Sequence, residues 1–299
     1  RQSGTIRRAT LKQYLDSTKD HPIQIGNTVP LVRFMANDVD LTWRTVDESS
    51  TRVVLEATDS ENKNYNLSYS IEDHNQIVNI QLLITNQKDM PDAGSAFSMV
   101  NSWEMADSIG RNNALEVSLR SVHDDGAAKY FKRAAPVHKV VNVPRGTSMV
   151  SMTDRHFCQI VKPHDIVADV SLVPSESGTA SAVSRYSLAN VGGGSFSYAA
   201  DVYIGPRDYF YLKKAGFEQA FKIGMIGQIG LIMLIVLNWI AGITGNYGVA
   251  IVLFSGLVTC ATAPFTILGL KSMKKMQALK PHIDRIMLHH KGDASKANK

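Results

Sequence analysis

The sequence predicts a β-sandwich of two packed sheets joined to α-helical membrane segments. Two observations carry that expectation. Between Ile223 and Leu270 the chain has no charged residue and no histidine, and lysines resume at once at Lys271. Across residues 1–200, by contrast, short stretches alternate apolar and polar side chains between turn-forming clusters, the period of two that marks half-buried strands.

The uncharged run is more than twice the roughly 20 residues that one helix needs to cross a hydrocarbon core about 30 Å thick. Gly245, Asn246, Tyr247 and Gly248 break it into two apolar stretches. Val249 to Leu270 has the length and the Val, Leu, Ile and Phe content of a span. Lys271, Lys274, Lys275 and Lys280 follow it, which by the positive-inside bias sets its C-terminal end in the cytoplasm. The first stretch is diluted by Gly224, Gly227, Gly230 and Gly242, while Gln228, Asn238 and Trp239 suit the headgroup zone. Basic residues flank it too, at Arg207, Lys213, Lys214 and Lys222. Spanning and lying flat in the interface are therefore both open from the residues alone.

The strand readings rest on alternation. Tyr65, Leu67, Tyr69 and Ile71 alternate with polar residues, Asp73, His74 and Asn75 supply a turn, and Val78, Ile80, Leu82 and Ile84 alternate again. This is a hairpin with one buried face. Phe196, Tyr198, Ala200, Val202 and Ile204 repeat the pattern after Gly192, Gly193 and Gly194, and Val167 to Val173 is a shorter case. No stretch before residue 200 reads as a long amphipathic helix. Antiparallel strands at this spacing predict the two-sheet sandwich.

Composition is that of a globular protein, with 44% hydrophobic and 20% charged residues and a net charge of +5. Much of the basic excess lies near the apolar run, where it suits anionic lipid better than a nucleic-acid surface. No specific nucleic-acid partner is expected, although the basic tail could touch a ribosome. Cys158 falls in the polar part and Cys260 in the apolar run, so they are not expected to pair. The sequence opens at Arg1 without a signal segment, and a domain exported ahead of a single span needs one, so an upstream element is expected.

Catalytic chemistry finds little support. His21, His74, His123, His138, His156 and His164 lack metal-ligand spacing. Asp124, Asp125 and Gly126 read as a turn, and Gly192 to Gly194 lacks the lysine and following helix of a phosphate loop. Neither a metal nor a cofactor is expected, and the chain is not read as an enzyme.

The sharper features lie in and after the second apolar stretch. Ser255, Thr259, Thr262 and Thr266 recur at steps of four, three and four, which puts four hydroxyls on one helical stripe away from Leu253 and Leu257. Such a stripe either lines a wet groove or meets another helix, or else each hydroxyl bonds back to its own helix one turn earlier. Pro264 frees a backbone carbonyl in the same region and kinks the helix. Beyond it Met273, Met276, Leu279, Ile283, Ile286 and Met287 recur at helical spacing, with Lys274, Lys275, Lys280, Asp284 and Arg285 on other faces. That amphipathic helix suits a partner helix, a client or simple packing in a helical hairpin, with Met273, Met276, Lys274 and Lys275 as its candidate contacts.

Three segments resemble one family. Gly245 to Ile251, Ala263 to Thr266 and Lys271 to Pro281, in this order and spacing, are similar to the YidC family of bacterial membrane protein insertases. Tyr203 to Arg207 with Tyr209 to Leu212 also resembles that family's junction between β-domain and membrane part, whereas residues 1–200 resemble it in layout more than in motif. The resemblance implies residues 1–203 as a periplasmic β-supersandwich and 204–246 as a linker with an amphipathic interfacial helix. It implies 247–270 as a transmembrane helix and 271–299 as the start of a cytoplasmic helical hairpin.

It further implies an inner-membrane insertase and chaperone that needs no cofactor. Such a protein receives nascent membrane proteins in a groove open to lipid and cytoplasm, alone or beside the Sec translocon. Ser255, Thr259, Thr262 and Thr266 fall at the groove. Thr259 stands where the family usually has a basic residue, so a client would meet hydroxyls and no fixed charge. The family's first membrane helix and later helices have no counterpart in the sequence, which is therefore expected to be a fragment. From a different class, a membrane-tethered sandwich could bind a glycan or a protein through exposed aromatics, with Trp43, Trp103, Tyr130 and Phe131 as candidates.

Overall fold

The structure, a computed structural model, describes residues 4–15, 21–26, 30–36, 39–60, 62–71, 76–86, 96–103, 115–122, 128–135, 139–143, 146–164, 169–173, 180–187, 195–220 and 224–289. The chain divides into two compact units, Arg1–Lys222 and Ile223–Lys299.

The first unit is built of strands. In chain order they are β1 (Ala9–Leu15), β2 (Pro22–Ile25), β3 (Val32–Ala36), β4 (Val39–Asp40), β5 (Arg44–Glu48) and β6 (Arg52–Thr58). There follow β7 (Lys63–Ile71), β8 (Ile77–Asn86), β9 (Ala96–Trp103), β10 (Leu115–Val122), β11 (Ala128–Ala135) and β12 (Val141–Val143). The last are β13 (Thr147–Thr153), β14 (Phe157–Pro163), β15 (Asp169–Leu172), β16 (Ala180–Ser187) and β17 (Ser195–Pro206). Nine form one sheet in the order β11-β10-β13-β14-β17-β8-β7-β6-β5, six form a second in the order β12-β15-β16-β9-β3-β4, and β1 pairs with β2.

The expected hairpin is present. β7 and β8 pair antiparallel with Leu67 opposite Leu82 and Tyr65 opposite Ile84, and all four side chains are buried. The turn residues Asp73 to Asn75 lie outside the described residues. Alternation places Tyr198, Ala200, Val202 and Ile204 of β17 in the same core, and Val167 to Val173 contains β15. Among the described residues no helix precedes Tyr209.

One apolar core fills the space between the sheets. The six-stranded sheet contributes Phe34, Phe97, Met99 and Trp103, and the nine-stranded sheet Leu67, Leu82, Val161 and Val202. Phe34 and Phe97 stack at 5.6 Å between ring centroids. Polar contacts cross the gap as well: the Tyr198 hydroxyl donates to the Met99 sulfur at 3.8 Å, and Gln159 Nε2 donates to the Leu31 carbonyl at 3.0 Å. Trp43 and Trp103 belong to this interior, at 3% and 0% exposure, so neither presents a platform to a ligand. Tyr130 donates its hydroxyl to the Gln219 carbonyl at 3.1 Å, and the Phe131 side chain lies outside the described residues.

The middle of the nine-stranded sheet is covered on its outer face as well. Ile77, Met149, Cys158, Ile160 and Tyr203 form a second cluster beneath Leu212, Phe217 and Ala220. Leu212 comes from the short helix α1 (Tyr209–Lys214), Ala220 from the 3-10 turn Glu218–Ala220, and Phe217 from the link between them. α1 starts where Asp208 caps it, its carboxylate accepting from the Phe210 and Tyr211 amides at 2.8 and 3.3 Å. It stops before Gly216, whose φ of +77° lies in the left-handed region that glycine enters at no steric cost. The Lys162 ammonium sits over the Phe217 ring at 5.9 Å. This docking carries the first unit past residue 203 to Lys222.

The second unit is helical, with α2 (Met225–Thr244) and α3 (Tyr247–His289) each apolar and long enough to cross a membrane. The corner between them is specified residue by residue. Gly245 caps α2 in the left-handed conformation, its N–H donating to the Ala241 carbonyl. Asn246 starts α3 by accepting from the Gly248 and Val249 amides at 2.8 and 3.4 Å. The Tyr247 hydroxyl donates to Asn238 Oδ1 at 2.9 Å, tying the helices together. Ile240 and Ala241 bury against Ala250, with Val236, Leu237 and Phe254 around them. This contact is confined to the corner, because Ile226, Ile229 and Ile232 on α2 and Leu257 on α3 are exposed. The expected junction near residue 270 is a continuous stretch of helix, since α3 runs unbroken through Pro264 and Pro281.

Burial raises the Cys158 thiol and the Tyr203 phenol above their ordinary ranges, and pushes Tyr14 up to about 12, its hydrogen bond with Tyr211 adding to burial. The folded state therefore keeps protons that the unfolded chain releases above about pH 8.5 for thiols and pH 10 for phenols. The associated stability is fully present below those values and is lost as pH rises through them. Thermal unfolding followed by far-UV circular dichroism should show a falling Tm from about pH 9 upward, and Cys158→Ala should delay the onset. At the corner, Asn246→Ala should cost about 1 kcal/mol, read as roughly fivefold faster hydrogen exchange at the Gly248 and Val249 amides.

Candidate functional site

A hydroxyl inside a helix either finds a partner elsewhere or donates to a carbonyl about one turn back. In α3 the second holds throughout the stripe. Ser255 Oγ donates to the Val252 carbonyl at 2.8 Å and Thr259 Oγ1 to that of Ser255 at 2.8 Å. Thr262 Oγ1 lies 2.9 Å from the Val258 carbonyl oxygen and 3.2 Å from that of Thr259, and Thr266 Oγ1 donates to Thr262 at 3.2 Å. The donors are spent within the helix. What the stripe offers outward is oxygen lone pairs, which suit N–H and O–H groups of a neighbour. A carboxylate would be accepted only if a hydroxyl rotated and gave up its helical bond.

All four side chains are exposed, and none is used against α2, which packs on Ala250 and Phe254 instead. Pro264 falls between Thr262 and Thr266 in the chain but on the opposite face of the helix. Lacking an N–H, it withdraws the bond that the Cys260 carbonyl would accept, adding a backbone acceptor to the same turn of helix.

Farther along α3, Met273 and Met276 are exposed on one side, with Leu279 three residues on. Lys271, Lys274 and Lys275 lie at positions i, i+3 and i+4 on the opposite side and are exposed too. The side chains of Ile283, Asp284, Arg285, Ile286 and Met287, and the tail from Gly292, fall outside the described residues. The groove candidates and these contact candidates thus share one helix but stand on separate stretches of it.

Spacing alone did not reveal the corner chemistry. Asn238 suits the headgroup zone by type, yet its partner is Tyr247, and Thr244 Oγ1 contacts the Ile240 and Asn246 carbonyl oxygens at 3.0 and 3.2 Å. An Asn directly before a long apolar stretch was the available signal for the cap.

Elsewhere, His164 Nε2 pairs with Asp201 Oδ2 at 3.0 Å on the surface of the first unit. Among the described residues, no three His, Cys, Asp or Glu side chains group as metal ligands would. His74, His123, His138, Asp124 to Gly126 and Gly192 to Gly194 lie outside the described residues.

Comparison with known proteins points to the same helix. Residues 239–299 match the family described as 60Kd inner membrane protein. A membrane protein insertase YidC of Anaeromyxobacter sp. (strain Fw109-5) is 32% identical over 112 residues, 36% of this chain and 20% of that protein. The membrane protein insertase YidC of Helicobacter pylori is 28% identical over 155 residues, 50% of this chain and 27% of that protein. The chain thus spans about a fifth to a quarter of the length of these relatives. Among solved structures, a GalM/aldose epimerase homologue from C. elegans is similar at a TM-score of 0.38 and 9% identity, over 56% of this chain and 69% of that one, a likeness on which nothing rests. Over residues 239–299 this chain is therefore similar to the 60Kd inner membrane protein family, and over about a third to a half of its length to the YidC insertases.

Proposed function

We propose that the chain is part of an insertase that receives hydrophobic segments of nascent membrane proteins and releases them sideways into lipid, without a cofactor and without catalysing a covalent step. The observation that carries this reading is the sequence match over residues 239–299, together with relatives that are named membrane protein insertases. In this reading α3 crosses the inner membrane with Lys271, Lys274 and Lys275 at the cytoplasmic boundary, and the β-sandwich lies in the periplasm. α2 then lies along the outer interface. The support for that is its departure from α3 beyond the corner, where a transmembrane hairpin would keep packing along its length.

The stripe Ser255, Thr259, Thr262 and Thr266 supplies the groove wall. Its outward lone pairs take hydrogen bonds from a client's amide and hydroxyl donors, lowering the cost of moving polar backbone into hydrocarbon. No fixed charge is needed. Met273 and Met276 offer adaptable apolar contacts to a client or partner helix, and Lys274 and Lys275 a basic edge for lipid or ribosome. Cooperation with the Sec translocon and a chaperone role in folding belong to the same proposal.

The tethered binding module is the weaker reading, because Trp43 and Trp103 are interior and a tether needs neither the stripe nor Pro264. In the complete protein reconstituted in vesicles, Thr259→Leu should slow insertion of a single-span client by about fivefold, the scale of one membrane hydrogen bond of about 1 kcal/mol. Thr259→Ser should leave it near normal. Protease protection of the radiolabelled client reads both, and an unchanged rate in Thr259→Leu would sink the groove.

A further inference from the structure

The connector after β17 has two sides of different chemistry. Leu212, Phe217 and Ala220 face the sheet and are buried. Phe210 and Lys214, one helical turn apart on α1, point the other way, and Phe210, Lys213 and Lys214 are all exposed. Tyr209 sets its ring edge-on to Phe210 at 5.8 Å, widening the aromatic surface.

The exposed charges of α1 itself, Lys213 and Lys214, are both basic. Arg155, at the turn between β13 and β14, is exposed, and that turn holds the start of the connector through the Arg207 amide donating to the His156 carbonyl at 2.7 Å. The nearby acids are already engaged or recessed. Asp154 is buried and accepts from the His156 and Phe157 amides, Asp208 caps α1, and Glu218 is half-buried. Aromatic rings beside lysines are the side-chain mixture that settles at a headgroup layer.

In the sequence only Phe221, Lys222 and Ile223 separate Ala220 from Gly224, the first described residue of the second unit.

We propose that the outward side of α1, formed by Phe210, Lys213 and Lys214, docks on the anionic headgroup surface of the bilayer. The inference rests on the reading that α2 lies at that surface. Each lysine at such a surface strengthens the contact about fivefold. The docked state buries Phe210 at the acyl boundary while Leu212 and Phe217 keep their places against the sheet.

A nitroxide at Phe210→Cys tests this in the full chain in a Cys260→Ser background, Cys158 being buried. Vesicles of phosphatidylcholine alone are compared with vesicles containing about one third phosphatidylglycerol, and collision rates with oxygen and a water-soluble nickel chelate give the label's depth. A second label at Trp239→Cys reports α2. The expected result is a lipid-facing label at 239 in both vesicles and at 210 only with phosphatidylglycerol, the latter lost in Lys213→Glu/Lys214→Glu and in high salt. A lipid-facing 239 with a water-facing 210 in both vesicles overturns the docking and leaves the membrane reading intact. Water-facing labels at both positions overturn the two together. In the unsubstituted chain, acylation of Lys213 and Lys214 by a water-soluble reagent should be at least about fivefold slower with phosphatidylglycerol, and equal rates would again overturn the docking.

Discussion

The centre of the nine-stranded sheet has two faces, and both must be kept from water. Its inner face is met by the six-stranded sheet through the shared core. Its outer face would be exposed apolar surface without Leu212, Phe217 and Ala220 laid across Ile77, Cys158, Ile160 and Tyr203. The segment that leads toward the membrane is therefore also a structural layer of the sandwich. Asp208 and Gly216 set where its helix begins and ends, and burial beneath it raises the Cys158 thiol and the Tyr203 phenol.

The membrane unit meets a different demand. In hydrocarbon a polar group must find its partner within the protein. α3 satisfies its hydroxyls from its own carbonyls, which makes the helix self-sufficient along that face. The corner does the same for the ends of two helices. Gly245 turns the chain, Asn246 takes up the first amides of α3, and the small side chain of Ala250 lets Ile240 and Ala241 approach. Beyond the corner Ile226, Ile229 and Ile232 on α2 and Val252, Leu253 and Leu257 on α3 are exposed.

Legibility in the sequence followed burial. β7, β8 and β17 could be read from alternation because each keeps one face in the core and the other less buried over much of its length. β13 and β14 could not, since burial on both faces erases the period of two, and Met149 to Met152 and Phe157 to Val161 read only as short apolar runs. The hydroxyl stripe was visible from its spacing, while its bonding was not, because donation to a carbonyl and donation to a partner require the same residues at the same steps. Trp43 and Trp103 were equally ambiguous. An aromatic in a strand is compatible with either face until register is known, and here the register turned both inward.

The unbroken course of α3 gives the molecule a mechanical property. Its 43 residues make a rod of roughly 65 Å, of which a hydrocarbon core occupies about 30 Å. Slack is therefore missing between the apolar stretch before Lys271 and the basic stretch that begins there. A load applied near Met276 is transmitted along the backbone hydrogen bonds as tilt or rotation of the apolar stretch, with Pro264 as the place where the rod can flex. Ser255, Thr259 and Thr262 precede that flexure and Thr266 follows it, so bending there changes the angle between the last hydroxyl and the other three.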